Sequence, residues 1–182
     1  MLKTEMRVSV FCYSEAMLKI HFHSDWDNHD LMVAAKEYQA IWDNESNSIV
    51  KAINDTTGLH FIENEINAVV FEGRSYSHPL QLRASYPTKV KKAALVHELC
   101  HRIAKGNKLR LENDEDPKLL SAHKVIFLVL YDILVVLYGE DLAEYNKELE
   151  SGYSEEYKQA WEWALSFNKE ERQDRFKKLI PG

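Results

Sequence analysis

The feature that most constrains the fold is the apolar run VIFLVLYDILVVLY at 125–138, which is interrupted only by Asp132. A membrane-spanning helix needs about 20 consecutive apolar residues, so this run is too short to cross a bilayer. Asp116 and Pro117 are typical of a helix start and Gly139 of a helix stop. We therefore predict a buried central helix, and we expect an arginine or a backbone group to compensate the charge of Asp132.

The segments before this helix alternate between strand and helix patterns. Residues 18–23 alternate apolar and polar side chains with a period of two, and we expect them to form a hairpin with residues 7–13. Apolar residues spaced three and four apart predict a helix over 30–54. Further short strands are predicted at 59–62, 66–72 and 80–85.

The order of these elements indicates one α+β domain that comprises residues 1–182. The chain has 182 residues, which is enough for a single core, and it contains no repeat and no Pro/Gly/Ser-rich linker. We predict a small domain with a short, mainly antiparallel sheet, a helix that carries the site, and the buried helix after it. A C-terminal extension at about 140–182 is predicted to form two or three amphipathic surface helices.

The net charge and the cysteine content restrict the possible binding partners and the cellular compartment. The formal net charge of −6 argues against broad binding to nucleic acid or to an anionic membrane, both of which require a basic surface. Cys12 and Cys100 are the only cysteines, too few for a disulfide framework, and the N-terminal segment has no apolar core typical of a signal peptide. We therefore expect a cytoplasmic protein that binds neither nucleic acid nor membrane.

The segment AALVHELCHRIAKG at 93–106 contains His97, Glu98 and His101 in the order H-E-x-x-H. A helix is predicted from Pro87 and Thr88 to Lys105, and in a helix residues i and i+4 share one face. The two imidazoles can therefore hold one metal ion. Glu98 lies about 100° further around the helix, where it can reach a water molecule on the metal without being a ligand. This spacing is typical of zinc hydrolases.

A chance occurrence of the motif is the competing interpretation, because the chain is rich in histidine and glutamate. The four residues before the motif, 93–96, are all apolar and predict that the helix is buried here. Two histidines and a glutamate on a buried face would be costly without a partner, which a metal ion provides. The context therefore favours a metal site.

A catalytic zinc needs a third protein ligand, and two kinds of residue are available downstream. His101 lies near the end of its predicted helix, and His123 lies a similar distance from the start of the next one. If the two helices pack antiparallel, both histidines are roughly 7–10 Å from the turn. We therefore predict His123 as the third ligand, with Glu112 or another acid of the loop as the alternative.

At these residues the chain resembles the zincin metallopeptidases, and loosely the small intracellular Spartan-like (SprT) proteases. The resemblance rests on VHELCHRIA, on a histidine about twenty positions further on, and on the preceding strand LQLRAS. It implies that a peptide substrate adds to that strand as an extra strand. The chain lacks a His-Gly pair after the third histidine, a cysteine-rich zinc ribbon and a basic patch, so a role in DNA repair does not carry over.

We therefore predict a zinc-dependent metallopeptidase that acts on a peptide or protein substrate. Zn²⁺ is expected on His97, His101 and His123, and Glu98 is expected to act as the general base toward the attacking water. The alternative is a non-catalytic zincin-like binding module or a protein with a structural zinc site. Candidates for stabilising the oxyanion are Tyr76, His78, Arg83 and Tyr131.

Overall fold

The computed structural model describes residues 18–111 and 115–181. Three strands and six helices follow one another within this part of the chain. In chain order they are β1 (Lys19–Ser24), α1 (His29–Thr57), β2 (Glu65–Phe71), β3 (Leu80–Arg83), α2 (Thr88–Gly106), α3 (Lys118–Tyr138), α4 (Glu140–Ser151), α5 (Glu155–Leu165) and α6 (Lys169–Lys177). The α+β class is confirmed, and the helices predicted around the motif and the apolar run lie at α2 and α3.

The strands form one sheet in the order β1-β2-β3, and both pairings are parallel, so the predicted antiparallel sheet is wrong. Helix α1 connects β1 to β2 and returns the chain to the same end of the sheet, which makes this pair parallel. The connection from β2 to β3 is short, but β3 begins beside Ala68 in the middle of β2. The chain therefore has to travel back by only about three residues, roughly 10 Å.

Two other strand predictions have different outcomes. Residues 59–62 form no strand; they belong to the loop between α1 and β2, where the Leu59 N–H donates to Thr57 Oγ1. The predicted hairpin partner, residues 7–13, lies outside the described residues.

Helix α1 begins after Asn28, whose side chain accepts two backbone hydrogen bonds. The helix ends at Gly58, which has the left-handed conformation that favours glycine.

Helix α3 is the centre of the helical layer. The apolar run alone is too short to cross a membrane, but the whole helix has 21 residues and is the one helix in the described residues that is long and apolar enough to do so. Of its most apolar stretch, 61% is buried inside the protein. Asp132 accepts hydrogen bonds from two nitrogens of Arg172 on α6, at 2.7 and 3.2 Å. The prediction that an arginine compensates Asp132 is confirmed.

The C-terminal helices contribute to the core as well as to the surface. Trp161 of α5 is buried and stacks on Phe127 of α3, with 3.8 Å between the ring centroids. Helix α4 buries Ala143, Asn146 and Glu150 on one face. The packing of α4 and α5 on α3 brings their side chains to the histidines of α2.

Candidate metal centre

Three histidines from two helices meet between α2 and α3. The ring centroids of His97 and His101 are 5.0 Å apart, and His123 lies 5.4 Å from His97 and 4.8 Å from His101. One potential ligand atom from each ring lies within 4.8 Å of the other two. The prediction that His123 lies beside the pair is confirmed. His101 lies five residues before the end of α2 and His123 five residues after the start of α3, so the two rings are at similar distances from the connecting loop.

The geometry and the chemistry of this cluster suit a metal ion. His101 Nε2 and His123 Nε2 are 3.4 Å apart, and two nitrogens about 2.0–2.1 Å from a tetrahedral zinc ion are separated by roughly 3.4 Å. The other separations, up to 4.8 Å, require small rotations of the rings to close on one ion. The buried cluster of His97, His101 and His123 can therefore hold a metal ion.

Hydrogen bonds at the back of two rings fix which nitrogen faces the cluster. His123 Nδ1 donates to the carbonyl oxygen of Leu119 at 2.6 Å, because a carbonyl can only accept. His97 Nδ1 lies 2.8 Å from Glu150 Oε1 and donates to this carboxylate. In neutral imidazoles with a proton on Nδ1, the lone pair is on Nε2 and is available to a metal.

Glu150 is a site residue that the sequence reasoning missed. It is buried, and its second oxygen accepts a hydrogen bond from Trp161 Nε1 at 3.1 Å. A carboxylate behind a metal-binding histidine fixes the ring orientation and increases its basicity. The available signal is the spacing of Ala143, Asn146 and Glu150, which places two polar residues on the buried face of α4.

The protonation states of His101 and His123 also suit metal ligands. Burial lowers the pKa of His101 well below its usual value and the pKa of His123 to about 3, with the neighbouring His97 adding to both effects. Burial also lowers the pKa of His97, but the charge and the hydrogen bond of Glu150 more than offset this and leave it raised. His101 and His123 are therefore neutral at pH 7, which is the state that binds metal.

Glu98 is a buried carboxylate beside this cluster. It is 7% exposed, and within the described part of the chain its side chain makes no hydrogen bond or ion pair. Burial raises its pKa to about 7, while the charges of His97 and Arg74 act in the opposite direction. A carboxylate with a pKa near neutrality is suited to proton transfer.

A small cavity of about 30 Å³ lies beside Glu98 and His97, with room for one or two water molecules. Asn146 and Arg74 also line this cavity. Asn146 Nδ2 is buried and has no hydrogen-bond partner among the described residues. The cavity therefore combines an acceptor, Glu98, with an unused amide donor and a cation.

Aromatic side chains close the cluster on the side of α5. Tyr157 lies 4.0 Å from His123 between ring centroids and is nearly parallel to His97 at 6.2 Å. Arg74 extends from the loop after β2 to within 5.0 Å of the centre of the Tyr157 ring. Tyr157 and Arg74 were not among the predicted site residues, because both reach the histidines only through tertiary packing.

The four residues predicted as candidates for stabilising the oxyanion do not lie together in the structure. Tyr76 and His78 line a larger cavity beside His101. Tyr131 donates to Glu144 instead, and Arg83 donates to Ser85. Arg83 does not line the small cavity beside Glu98.

The acids of the loop before α3 were the alternative third ligands. Glu112 and Asp114 lie outside the described residues. Glu115 and Asp116 are described, but neither belongs to the metal-capable cluster, and Asp116 accepts a hydrogen bond from Lys124. Within the described residues, His123 is the ring that completes the cluster.

Comparison with protein-family models, with curated proteins and with solved structures finds no match for this chain. The resemblance to zincins therefore rests on the motif residues themselves.

Proposed function

We propose that the protein is a zinc-dependent metallopeptidase in which Glu98 is the general base. The observation that carries this proposal is the buried Glu98 carboxylate, which makes no hydrogen bond among the described residues and lies beside three convergent histidines. A structural metal site has no use for such a group, and its burial costs free energy. Proteins tolerate the free-energy cost of a buried, unpaired carboxylate mainly at functional sites.

Zinc is the metal that the donor set favours. Imidazole nitrogens suit zinc and other late transition metals better than Mg²⁺ or Ca²⁺, which prefer oxygen ligands. Three protein ligands leave the fourth position of a tetrahedral site open, as in catalytic zinc sites. The hydrogen bonds of His97 to Glu150 and of His123 to Leu119 support this assignment, since they orient both rings.

When bound, zinc acts as a Lewis acid that activates water and polarises a carbonyl group. Glu98 accepts the proton of the attacking water and transfers it to the nitrogen of the leaving amine. Its pKa of about 7 allows both transfers near neutral pH. Amide bonds fit this chemistry because their leaving group must be protonated.

Asn146 and Arg74 are proposed to stabilise the negative charge that develops on the carbonyl oxygen. Both line the small cavity that Glu98 also lines, and Asn146 Nδ2 is a hydrogen-bond donor without a partner among the described residues. A positioned donor in a water-excluded site contributes to transition-state stabilisation without a reorganisation cost.

The test compares the zinc-loaded protein with its Glu98→Gln variant on a mixture of unstructured peptides, with new termini identified by mass spectrometry. We expect the variant to lose at least about 100-fold in rate, because the general base is gone. Glu148→Gln, an exposed position on α4, is the matched control. Equal rates for the Glu98→Gln variant and the wild type, at equal zinc content, contradict the proposal.

A further inference from the structure

The outer edge of β3 is closed to an added strand. Gln81 exchanges both of its backbone hydrogen bonds with Tyr76, at 2.8 and 2.9 Å. The Arg83 N–H donates to Ser75 Oγ at 3.2 Å, and the Arg83 carbonyl accepts from Tyr38 Oη at 3.0 Å. In a parallel sheet alternate residues direct their backbone groups to opposite sides, so these are the groups that face away from β2.

A peptide that added to β3 would need those same backbone groups. The extra-strand mode implied by the resemblance to zincins therefore does not fit this strand. A substrate that reaches the histidines has to be recognised by another surface.

A cavity of about 860 Å³ lies directly beside His101. Its volume is in the range of sites that hold small molecules or short peptides. The side chains of Tyr76, Ser77 and His78, from the loop after β2, form one wall. The other walls are mainly apolar and come from Ala104, Leu109, Ala122, Val125 and Pro181.

The same cavity has a cationic rim formed by Lys105, Lys108 and Arg110. These side chains are exposed, and none of them is in an ion pair within residues 18–111 and 115–181. No acidic side chain from those ranges lines the cavity. Lys108 also has a φ of 60°, a left-handed conformation that favours glycine, yet it carries a cation.

The spacing along α2 indicates how far an anionic group would lie from the metal. Lys105 follows His101 by four residues on α2, which corresponds to roughly 6 Å along the helix axis, while Lys108 and Arg110 come after the end of α2 at Gly106. An extended peptide advances about 3.3 Å per residue, so the distance to Lys105 equals about two residues.

We infer that the cavity binds the carboxyl-terminal end of a peptide substrate whose last residue is apolar. The terminal carboxylate lies at Lys105, Lys108 and Arg110, and the apolar side chain contacts Ala104 and Val125. The bond that is cut lies about two residues before the terminus, beside the histidines. This assignment of substrate class rests on the proposed metallopeptidase function.

The test measures binding to the zinc-loaded Glu98→Gln protein, which cannot turn the substrate over. The probes are an acetylated pentapeptide ending in leucine and the same peptide with an amidated terminus. We expect the free acid to bind about tenfold more tightly, and this preference to shrink at high salt because the cations are exposed.

Two variants separate charge recognition from folding. The double variant Lys105→Met/Lys108→Gly is expected to lose the preference while it unfolds at an unchanged or higher temperature, since glycine suits the left-handed position. Lys36→Met, an exposed lysine of α1 outside the cavity, is the control and keeps the preference.

Equal affinity for the acid and the amide, no binding of either, or a preference that survives in the double variant overturns the inference. Failure of the proposed function gives a different pattern, in which the acid is preferred but the wild-type protein cuts no peptide. The two failures are therefore distinguishable.

Discussion

Replacing Glu150 by glutamine tests whether α4 holds the metal site in place. The carboxylate accepts two hydrogen bonds, one on each oxygen, from His97 Nδ1 at 2.8 Å and from Trp161 Nε1 at 3.1 Å. An amide has one accepting oxygen and one donating nitrogen. Glutamine therefore leaves one of the two donors facing another donor.

The magnitude follows from the burial of all three groups, because a donor that loses its acceptor there is shielded from bulk solvent. A hydrogen bond to a charged group contributes about 1.5–3 kcal/mol. Loss of a carboxylate behind a metal-binding histidine typically weakens metal binding about 10- to 100-fold, which corresponds to about 1.4–2.7 kcal/mol. We predict a loss of zinc affinity in this range for Glu150→Gln.

The assay is a zinc titration in competition with a chromophoric chelator. Glu148→Gln, on the exposed side of the same helix, should bind zinc like the wild type. Adding Trp161→Phe to Glu150→Gln removes the second donor and lets the amide oxygen turn to His97, so much of the affinity should return. Wild-type affinity in Glu150→Gln, or no recovery in the double variant, would refute the reasoning.

Other variants test Glu98, Asn146 and the ion pair of the core. Burial raises the pKa of Glu98 from 4.5 to about 7 in the metal-free fold. Between these pH values the folded protein retains a proton that the unfolded chain releases, so the free energy of unfolding falls as the pH rises, by at most roughly 3 kcal/mol. In denaturant titrations of chelator-treated protein, Glu98→Gln should gain stability relative to wild type at pH 8 but not at pH 4; a difference independent of pH would argue against a buried carboxyl. Asn146→Leu should lower kcat about 100-fold with zinc affinity unchanged, and an unaltered kcat in steady-state kinetics would exclude Asn146 from the chemistry. Asp132→Ala leaves Arg172 unpaired in the core and should cost about 3–5 kcal/mol in urea unfolding; a cost below about 1 kcal/mol would mean that this pair is not desolvated.

The part of the site that lies on one helix could be predicted from the sequence. His97 and His101 are four residues apart, and helix geometry alone places them on one face. His123 followed from the same rise per residue, applied to two antiparallel helices joined by a loop. These relations depend on local structure, which the hydrophobic pattern and the capping residues determine.

Glu150, Asn146 and Tyr157 could not be placed in the same way. They follow the motif by about fifty residues or more in the chain, and they reach it only because α4 and α5 pack on α3. The amphipathic pattern of these helices predicts that one face is buried, but not which neighbour covers it. Two polar residues on that face of α4 were the one local indication of a function.

The relative direction of the strands could also not be predicted from the local sequence pattern. The period of two in β1 and the apolar residues of β2 predict strands, but they are the same in parallel and antiparallel sheets. A turn-rich loop such as 73–79 is typical of a hairpin, and here it instead returns the chain along the edge of β3. The offset of β3 against β2, which makes this possible, is a property of the assembled sheet.

Metal stoichiometry at the three histidines tests the central claim most directly. Cobalt titration of the metal-free protein, followed by visible absorption, should show one tetrahedral ion per chain in the wild type. The same titration of the His123→Ala variant, folded as judged by circular dichroism, should show a large loss of affinity and a changed spectrum. Binding with unchanged affinity and an unchanged spectrum in that variant, or no binding by the wild type, would contradict a three-histidine metal centre.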